Sequence, residues 1–305
     1  MRDALTDALS FLEQRVQHAL RTNDRSGLEI LGYGDSSVVL GCHSSVGRFA
    51  CKRLPPFATP NLQAAYLEHM RLYSDALRKR GVKLLETQIC FVGQAAYCVQ
   101  QHIGSNAMLK YALTSKRLET LVEMIEMTIT DRIGLDADIT NWCVIDDELV
   151  LLDANTPLLR NAQHVSTVDY SVYFSSLPYF IRSWLSSHVQ ESLLKKFFSP
   201  REVMLDVLCG LIRERVGYVP YLLEKIAARF TPMITSGELR RYYLTNQSTW
   251  ELFRRLQRLQ RWWCKSVRKQ HYPFLLPPDK AFAGHLSIRT AFSKNFGYRP
   301  QQPHD

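Results

Sequence analysis

Apolar residues recur at helical and strand spacing in turn along the first hundred residues. Spacings of three and four at residues 2 to about 22 predict an amphipathic helix, formed by Leu5, Leu9, Leu12, Val16 and Ala19. Shorter apolar runs at 28–40, 49–52, 88–92 and 95–101 predict strands, because glycine turns separate them. A second helical pattern covers 61–79. This part of the chain is therefore expected to be rich in β-structure, with two helices.

The rest of the chain is mostly helical by spacing. A helix is predicted over about 118–129, followed by a hairpin of two apolar runs, 142–145 and 149–152, around Asp146-Asp147. Further helical segments lie near 170–186, 188–198, 200–216, 220–230 and 248–270, with Pro or Gly between several of them. The pattern predicts an α+β protein whose strands are concentrated towards the N-terminus.

The last of these segments combines an aromatic stripe with many basic residues. The stripe consists of Trp250, Phe253, Leu256, Leu259, Trp263 and Val267, and the basic positions are Arg254, Arg255, Arg258, Arg261, Lys265 and Arg268. We favour a helix packed through its stripe with a solvated basic face. Contact with nucleic acid or an anionic membrane through the basic face is the less favoured interpretation.

Composition says little about the functional class of the protein. The apolar fraction of 46% and the charged fraction of 22% are those of a globular protein, and the net charge of +9 is compatible with phosphate-rich partners or with simple solubility. The sequence shows no leader pattern and no long apolar run, so we expect a soluble, cytoplasmic protein. The seven cysteines include no C-x-x-C pair and are expected to be reduced thiols.

The stretch 131–155 carries the densest polar chemistry. Asp136 is followed five residues later by Asn141, and Asp153 lies twelve residues beyond that. Because the predicted hairpin begins after Asn141 and ends before Asp153, its two ends should bring these side chains together. Carboxylate and amide oxygens are ligands that Mg²⁺ prefers, so a hard divalent cation or a phosphate is the expected occupant.

Two further features suit phosphate binding. Gly32-x-Gly34 forms a glycine turn between strands, where free N–H groups can donate to phosphate oxygens; a plain hairpin is the alternative. Lys52 follows in the strand Phe49-Ala50-Cys51-Lys52, where a surface lysine on an edge strand is the alternative.

Together these motifs resemble the protein-kinase-like superfamily, nearer its aminoglycoside and choline phosphotransferase branch. The glycine turn is similar to G-x-G-x-x-G-x-V, Ala50-x-Lys52 to V-A-I-K, and Asp136-x-x-x-x-Asn141 to the catalytic loop. The resemblance implies a two-lobed fold, with an N-terminal lobe at 1–101 and a helical lobe at 102–305. It also implies ATP and Mg²⁺ as cofactors, with a nucleotide and an acceptor hydroxyl as partners.

The resemblance also assigns roles. Lys52 would reach the nucleotide phosphates and pair with Glu68 of the helix, with Glu86 as a weaker candidate. Gln101 and His102 would form the hinge that meets adenine, Asn141 and Asp153 would hold the metal, and Asp136 would orient the acceptor hydroxyl.

The sequence departs from the family at four points. Ser37 replaces the third glycine, Gly134 stands where the catalytic loop has His, Ala154-Asn155 follows Asp153, and no A-P-E motif is present. We expect a phosphotransferase, with a small-molecule acceptor favoured over a protein. The alternative is a pseudokinase-type nucleotide-binding or scaffolding protein without turnover.

Overall fold

The N-terminal part is built on a five-stranded antiparallel sheet. A computed structural model describes residues 2–34, 37–185 and 190–277. The strands are β1 (Ile30–Tyr33), β2 (Val38–Ser44), β3 (Gly47–Arg53), β5 (Gln88–Val92) and β6 (Ala95–Gln101), in the order β1-β2-β3-β6-β5. A two-residue strand, β4 (Lys83–Leu84), lies outside this sheet. The predicted β-rich character of this region is confirmed.

One helix covers each face of this sheet. Helix α1 (Arg2–Thr22) shares a core with Tyr97 and Val99 of β6, whereas Ala96 and Cys98 of the same strand belong to the core that contains helix α2 (Pro60–Lys79). This division follows from the two-residue period of a strand. Thr59 caps α2 by accepting a hydrogen bond from the Leu62 N–H.

The C-terminal part is predominantly helical and also contains a small sheet. Its helices are α3 (Ser115–Thr128), α4 (Ser171–Phe174), α5 (Tyr179–Trp184), α6 (Gln190–Lys195), α7 (Pro200–Glu214), α8 (Val219–Ala227) and α9 (Ser236–Trp262). Strands β7 (Trp142–Ile145) and β8 (Glu148–Leu151) form the expected hairpin, and β4 pairs with β8 in parallel. One continuous core includes residues of α2, α3, α7 and this small sheet, so the two parts pack tightly together.

The structure confirms an α+β fold with most of the predicted elements. Helix α9 starts about twelve residues before the predicted boundary, because Thr235 provides an N-cap that accepts from the Glu238 N–H. The predicted segments 170–186 and 188–198 are broken into short helices, and residues 186–189 and 278–305 lie outside the described residues.

The predicted packing face of the last helix is wrong over its final turns. Leu259, Trp263 and Val267 are 48%, 46% and 47% exposed, although the stripe was expected to be buried. Gln257 and Cys264 are buried instead, and the Gln257 amide donates to the Ser176 hydroxyl over 3.0 Å. A polar side chain with a buried partner therefore determines which face packs.

All seven cysteines are free thiols, as expected, and only Cys90 is not buried. Among the described residues, no helix combines the length and apolar character needed to cross a membrane.

Candidate functional site

Lys52 and Asp153 meet where the large sheet faces the β7–β8 hairpin. The Lys52 Nζ lies 2.5 Å from the Asp153 Oδ2, although 101 residues separate them in sequence. Burial would lower the pKa of Lys52, but the Asp153 carboxylate outweighs it and the pKa is raised. Burial likewise opposes ionisation of Asp153, whose pKa is nevertheless lowered by Lys52. Both groups are therefore charged at neutral pH.

The hairpin fixes Asn141 beside Asp153. Trp142 pairs with Leu151, and the Leu152 N–H donates to the Asn141 carbonyl over 2.8 Å. The turn residues Asp146 and Asp147 both have positive φ, 50° and 63°, which suits the right-handed twist of a two-residue hairpin. The structure thus brings the predicted metal ligands to neighbouring chain ends.

Asp136 lies at the start of the same loop. The Asn141 Nδ2 is 3.5 Å from the Asp136 carbonyl oxygen, and the Asp136 Oδ1 accepts from the Asp138 N–H over 3.3 Å. Burial, followed by the charge on Asp138, raises the pKa of Asp136 to about 7, while Lys196 acts in the opposite direction. The carboxyl group can therefore gain or lose a proton near neutral pH.

Asp138 caps the short 3₁₀ turn Ile139–Asn141. It accepts from the Thr140 N–H over 3.0 Å. It is not solvated, because Arg213 of α7 lies 2.5 Å from its Oδ2. Burial would raise the pKa of Asp138, but Arg213 holds it below its usual value. Arg213 therefore anchors the loop, and sequence reasoning did not identify it.

The loop around Gly134 is supported by backbone contacts. The Gly134 N–H donates to the Leu158 carbonyl over 2.9 Å, and the Leu135 N–H donates to the Phe197 carbonyl over 3.0 Å. A Cβ at position 134 would lie 3.0 Å from the Phe197 carbonyl oxygen. A histidine side chain has no room here. The backbone at Leu158 and Phe197 holds the loop instead.

The expected pairing of Lys52 with Glu68 is wrong. Glu68 points away from the site and binds Arg71 over 2.6 Å, with more than half of its side chain exposed. The inward face of α2 carries Tyr66, Met70, Tyr73 and Leu77, at helical spacing. Glu68 lies two residues from Tyr66, on another side of the helix. Glu86 is also exposed.

Two tyrosines, Tyr66 of α2 and Tyr173 of α4, contact the turn after Asp153. The Tyr66 hydroxyl donates to the Asn155 carbonyl over 2.7 Å and is also hydrogen-bonded to the Tyr173 hydroxyl. Tyr173 also donates to the Thr156 hydroxyl over 3.0 Å. The two tyrosines hold the turn after Asp153. In the sequence, the helical spacing of Tyr66, Met70 and Tyr73 could have indicated that this face of α2 points inward.

Lys196 is another charged residue near Asp136 that sequence reasoning missed. Its Nζ lies 2.8 Å from the Asp206 Oδ2, and its charge acts on Asp136. Asp206 also accepts from the Tyr242 hydroxyl over 3.0 Å. Nothing in the spacing of the helical segments identifies this pair.

The glycine turn and the expected hinge lie at opposite ends of the sheet strands. The Gly34 N–H donates to the Ser37 carbonyl over 3.0 Å, and a Cβ on Gly32 would meet no atom within 4 Å. Ser37 also crowds Gly34, since its Oγ would lie 2.7 Å from a Cβ there. Gln101 is exposed at the end of β6, and the His102 N–H donates to the Arg48 carbonyl over 3.0 Å.

The side-chain oxygens of Asn141 and Asp153 suit a cation that takes most of its ligands from water and phosphate. Asn141 and Asp153 supply one amide and one carboxylate, whereas no group of three or more His, Cys, Asp or Glu suited to a metal occurs in the described residues. Mg²⁺ commonly takes one or two protein ligands and completes its shell with water and phosphate oxygens. The pair therefore fits a metal–nucleotide complex, with Lys52 beside it as a cation for the phosphates.

A protein-family model described as a family of unknown function (DUF6206) matches residues 11–261. No curated protein matches the sequence.

Proposed function

The chain belongs to DUF6206, a family of unknown function, and we propose that it is an ATP- and Mg²⁺-dependent phosphotransferase with a protein-kinase-like, two-lobed fold. The acceptor is a hydroxyl group, on a small molecule rather than a protein. Support comes from the convergence of residues that are far apart in sequence on one polar site.

The observation that carries this proposal is the contact between Lys52 and Asp153. A lysine near the end of β3, the central strand of the large sheet, and an aspartate at the end of a hairpin meet at 2.5 Å, largely shielded from solvent. Asn141 is joined to the end of the hairpin by the hydrogen bond from the Leu152 N–H, and its side chain lies 3.5 Å from the Asp136 carbonyl oxygen. This is the set that the resemblance assigns to phosphoryl transfer.

Each residue has a role in this proposal. Lys52 binds the nucleotide phosphates, and Asn141 and Asp153 would hold Mg²⁺, which when bound neutralises the charge of the phosphates. Asp136 orients the acceptor hydroxyl and accepts its proton. The glycine turn at Gly32 and Gly34 covers the phosphates, and the backbone at Gln101 and His102 meets the adenine edge. Catalysis then consists mainly of positioning and charge stabilisation.

The segment after the Asp153 turn supports a small acceptor. Residue Arg160 donates through its N–H to the Arg132 carbonyl over 2.9 Å, and isolated bridges join Ile133 to Leu159 and Arg160 to Ser166. The chain is thus held against the catalytic loop. It does not extend as a strand to which a protein substrate could pair.

The test uses an Asp136→Asn variant beside the wild-type chain. Binding of ATP with Mg²⁺ is followed by thermal shift, and phosphoryl transfer by release of ADP in the presence of a panel of hydroxyl compounds. We expect both chains to be stabilised by the nucleotide and only the wild type to consume it. Undiminished consumption by the variant would exclude Asp136 as the base.

A specific observation supports a second candidate, a nucleotide-binding protein without turnover. Both oxygens of Asp153 already have partners, since Oδ1 accepts from the Asn155 N–H over 3.2 Å and Oδ2 contacts Lys52. If these contacts persist when nucleotide binds, Asp153 is a poor metal ligand. Stabilisation by ATP that is independent of Mg²⁺, with no ADP released, would favour this candidate.

A further inference from the structure

A cavity of about 490 Å³ lies beside the candidate site, on the other side of Tyr66. Its walls come from the residues before and along α2, from the 167–175 segment, and from the chain after α9. The apolar part is formed by Phe57, Tyr66, Val168, Val172 and Phe274. Cavities of this size with mainly apolar walls and a few polar groups are typical of small-molecule sites.

Arg182 is the charged group that this cavity leaves without a counter-ion. Its Nη2 donates to the carbonyl oxygens of Ser175 and Leu177, at 2.7 and 3.1 Å, which fixes the guanidinium in place. Its Nε is buried and has no hydrogen-bond partner. Within the described ranges, no carboxylate lies within ion-pair distance of Arg182. Burial lowers the pKa of this arginine.

The other polar groups of the cavity do not neutralise this charge. Asp169 lines the cavity but is exposed, and its Oδ1 accepts from the Ser171 N–H over 2.8 Å. The Gln260 amide donates to the Cys264 sulfur over 3.3 Å. A half-buried cation with no described counter-ion is costly, and an anionic ligand in the cavity would supply the missing charge.

We propose that this cavity binds an amphipathic monoanion, a medium-chain carboxylate whose head group contacts Arg182. The hydrocarbon chain packs against Phe57, Val172 and Phe274. A nucleotide is a poor occupant, because its several charges would face apolar walls with a single cation. The carboxylate contacts the guanidinium of Arg182, whose charge no described carboxylate balances, and a charge-assisted contact of this kind is strong.

The cavity also contacts the candidate site through one residue. Tyr66 forms part of the wall, and its hydroxyl donates to the Asn155 carbonyl in the turn after Asp153. A ligand packed against Tyr66 would therefore restrict this turn. The binding proposal does not depend on the proposed phosphotransferase activity, since it is measured without turnover.

The experiment is calorimetric titration of the full chain with decanoate and, separately, with decanol and decyltrimethylammonium. We expect saturable one-to-one binding of decanoate below its micellar concentration, and binding at least tenfold weaker for the uncharged and cationic compounds. Absence of saturable decanoate binding, or equal affinity for decanol, would overturn the proposal without any variant.

Variants then locate the site. Arg182→Met should weaken decanoate binding at least tenfold, Arg182→Lys should retain part of it, and Ala65→Phe should block the cavity from the exposed surface of α2. Arg255→Met, on the exposed face of α9, is the matched control and should bind as the wild type does. Unchanged binding in a folded Arg182→Met chain would place the ligand elsewhere and refute the assignment.

Discussion

The hydroxyl of Tyr73 donates a hydrogen bond to the carbonyl oxygen of Gly134 over 2.9 Å, which joins α2 to the loop that carries Asp136. Tyr73 is buried, and the Gly134 N–H is bound by Leu158 from the other side. In sequence, Gly134 is a departure from the family pattern, which has a histidine there. In the structure, the glycine allows the chain segments that carry Tyr73, Leu158 and Phe197 to approach the loop closely, because a side chain would separate them.

We predict that Gly134→Ala destabilises the fold. The added Cβ would meet the Phe197 carbonyl oxygen at 3.0 Å and the Leu158 Cβ at 3.1 Å, so backbone must move. Overpacking of this kind costs about 1–3 kcal/mol, measurable by urea unfolding. Gly237→Ala is the control, because a Cβ there meets nothing within 4 Å. An unchanged free energy of unfolding in Gly134→Ala would show that the loop accommodates the added methyl group without strain.

Lys52 and Glu68 should behave oppositely when their charges are removed. Glu68→Gln breaks only an exposed, solvent-screened pair with Arg71 and should leave nucleotide binding unchanged. Lys52→Met leaves Asp153 without its cation and should abolish the thermal shift produced by ATP with Mg²⁺. Equal losses in the two variants would restore Glu68 as the partner of the lysine.

Magnesium without nucleotide should bind weakly. Asn141 and Asp153 provide only two protein ligands, and the Lys52 ammonium lies against one of the Asp153 oxygens. The remaining ligands must come from water and phosphate. We expect no thermal shift with 1–10 mM Mg²⁺ alone, a typical range for weak sites, and a clear shift when ATP is added. A large thermal shift with Mg²⁺ alone would indicate a metal site formed by protein ligands without the nucleotide.

The sequence predicted strands, turns and hairpins well. It predicted less well which residues of a helix face the candidate site. The β7–β8 hairpin and the positions of Asn141 and Asp153 follow from chain-local rules of turn and strand, so their proximity was predictable. The residue of α2 that faces the site was not predictable in this way, because it depends on how the helix is rotated about its axis. Among the apolar residues that gave this helix its pattern, Leu62 and Leu72 are exposed, whereas Leu77 is buried. Tyrosine residues with polar ends form the inward face.

Partners contributed by distant helices were also beyond sequence reasoning. Arg213 binds Asp138 and Lys196 binds Asp206, yet nothing in the spacing of α7 distinguishes a buried arginine from a solvated one. The same holds for Gln257, whose burial depends on the Ser176 hydroxyl. Such pairs arise when tertiary packing brings two polar groups together, and they override the apolar pattern.

A buried charge cluster holds α1 on the sheet. The Glu13 carboxylate is 8% exposed and accepts two hydrogen bonds from Arg53, each 2.9 Å, together with others from Tyr97 and Gln17. Arg53 also donates to the Pro273 carbonyl over 3.4 Å. Burial alone would raise the pKa of Glu13, but Arg53 and the other donors outweigh it and the pKa is lowered.

This shift predicts a stability that depends on pH. Because the folded pKa of Glu13 lies below its unfolded value, the unfolded chain binds more protons at mildly acidic pH, and the contribution of Glu13 is lost as pH falls below about 4.5. Glu13→Gln should lose about 3 kcal/mol at pH 7, since it leaves the Arg53 charge uncompensated. In urea unfolding the difference from wild type should shrink between pH 7 and about pH 3. The exposed Glu29, paired with Arg48, is the control, and Glu29→Gln should change stability by less than about 1 kcal/mol. A Glu13→Gln difference that stays constant with pH would mean that the carboxylate charge contributes nothing.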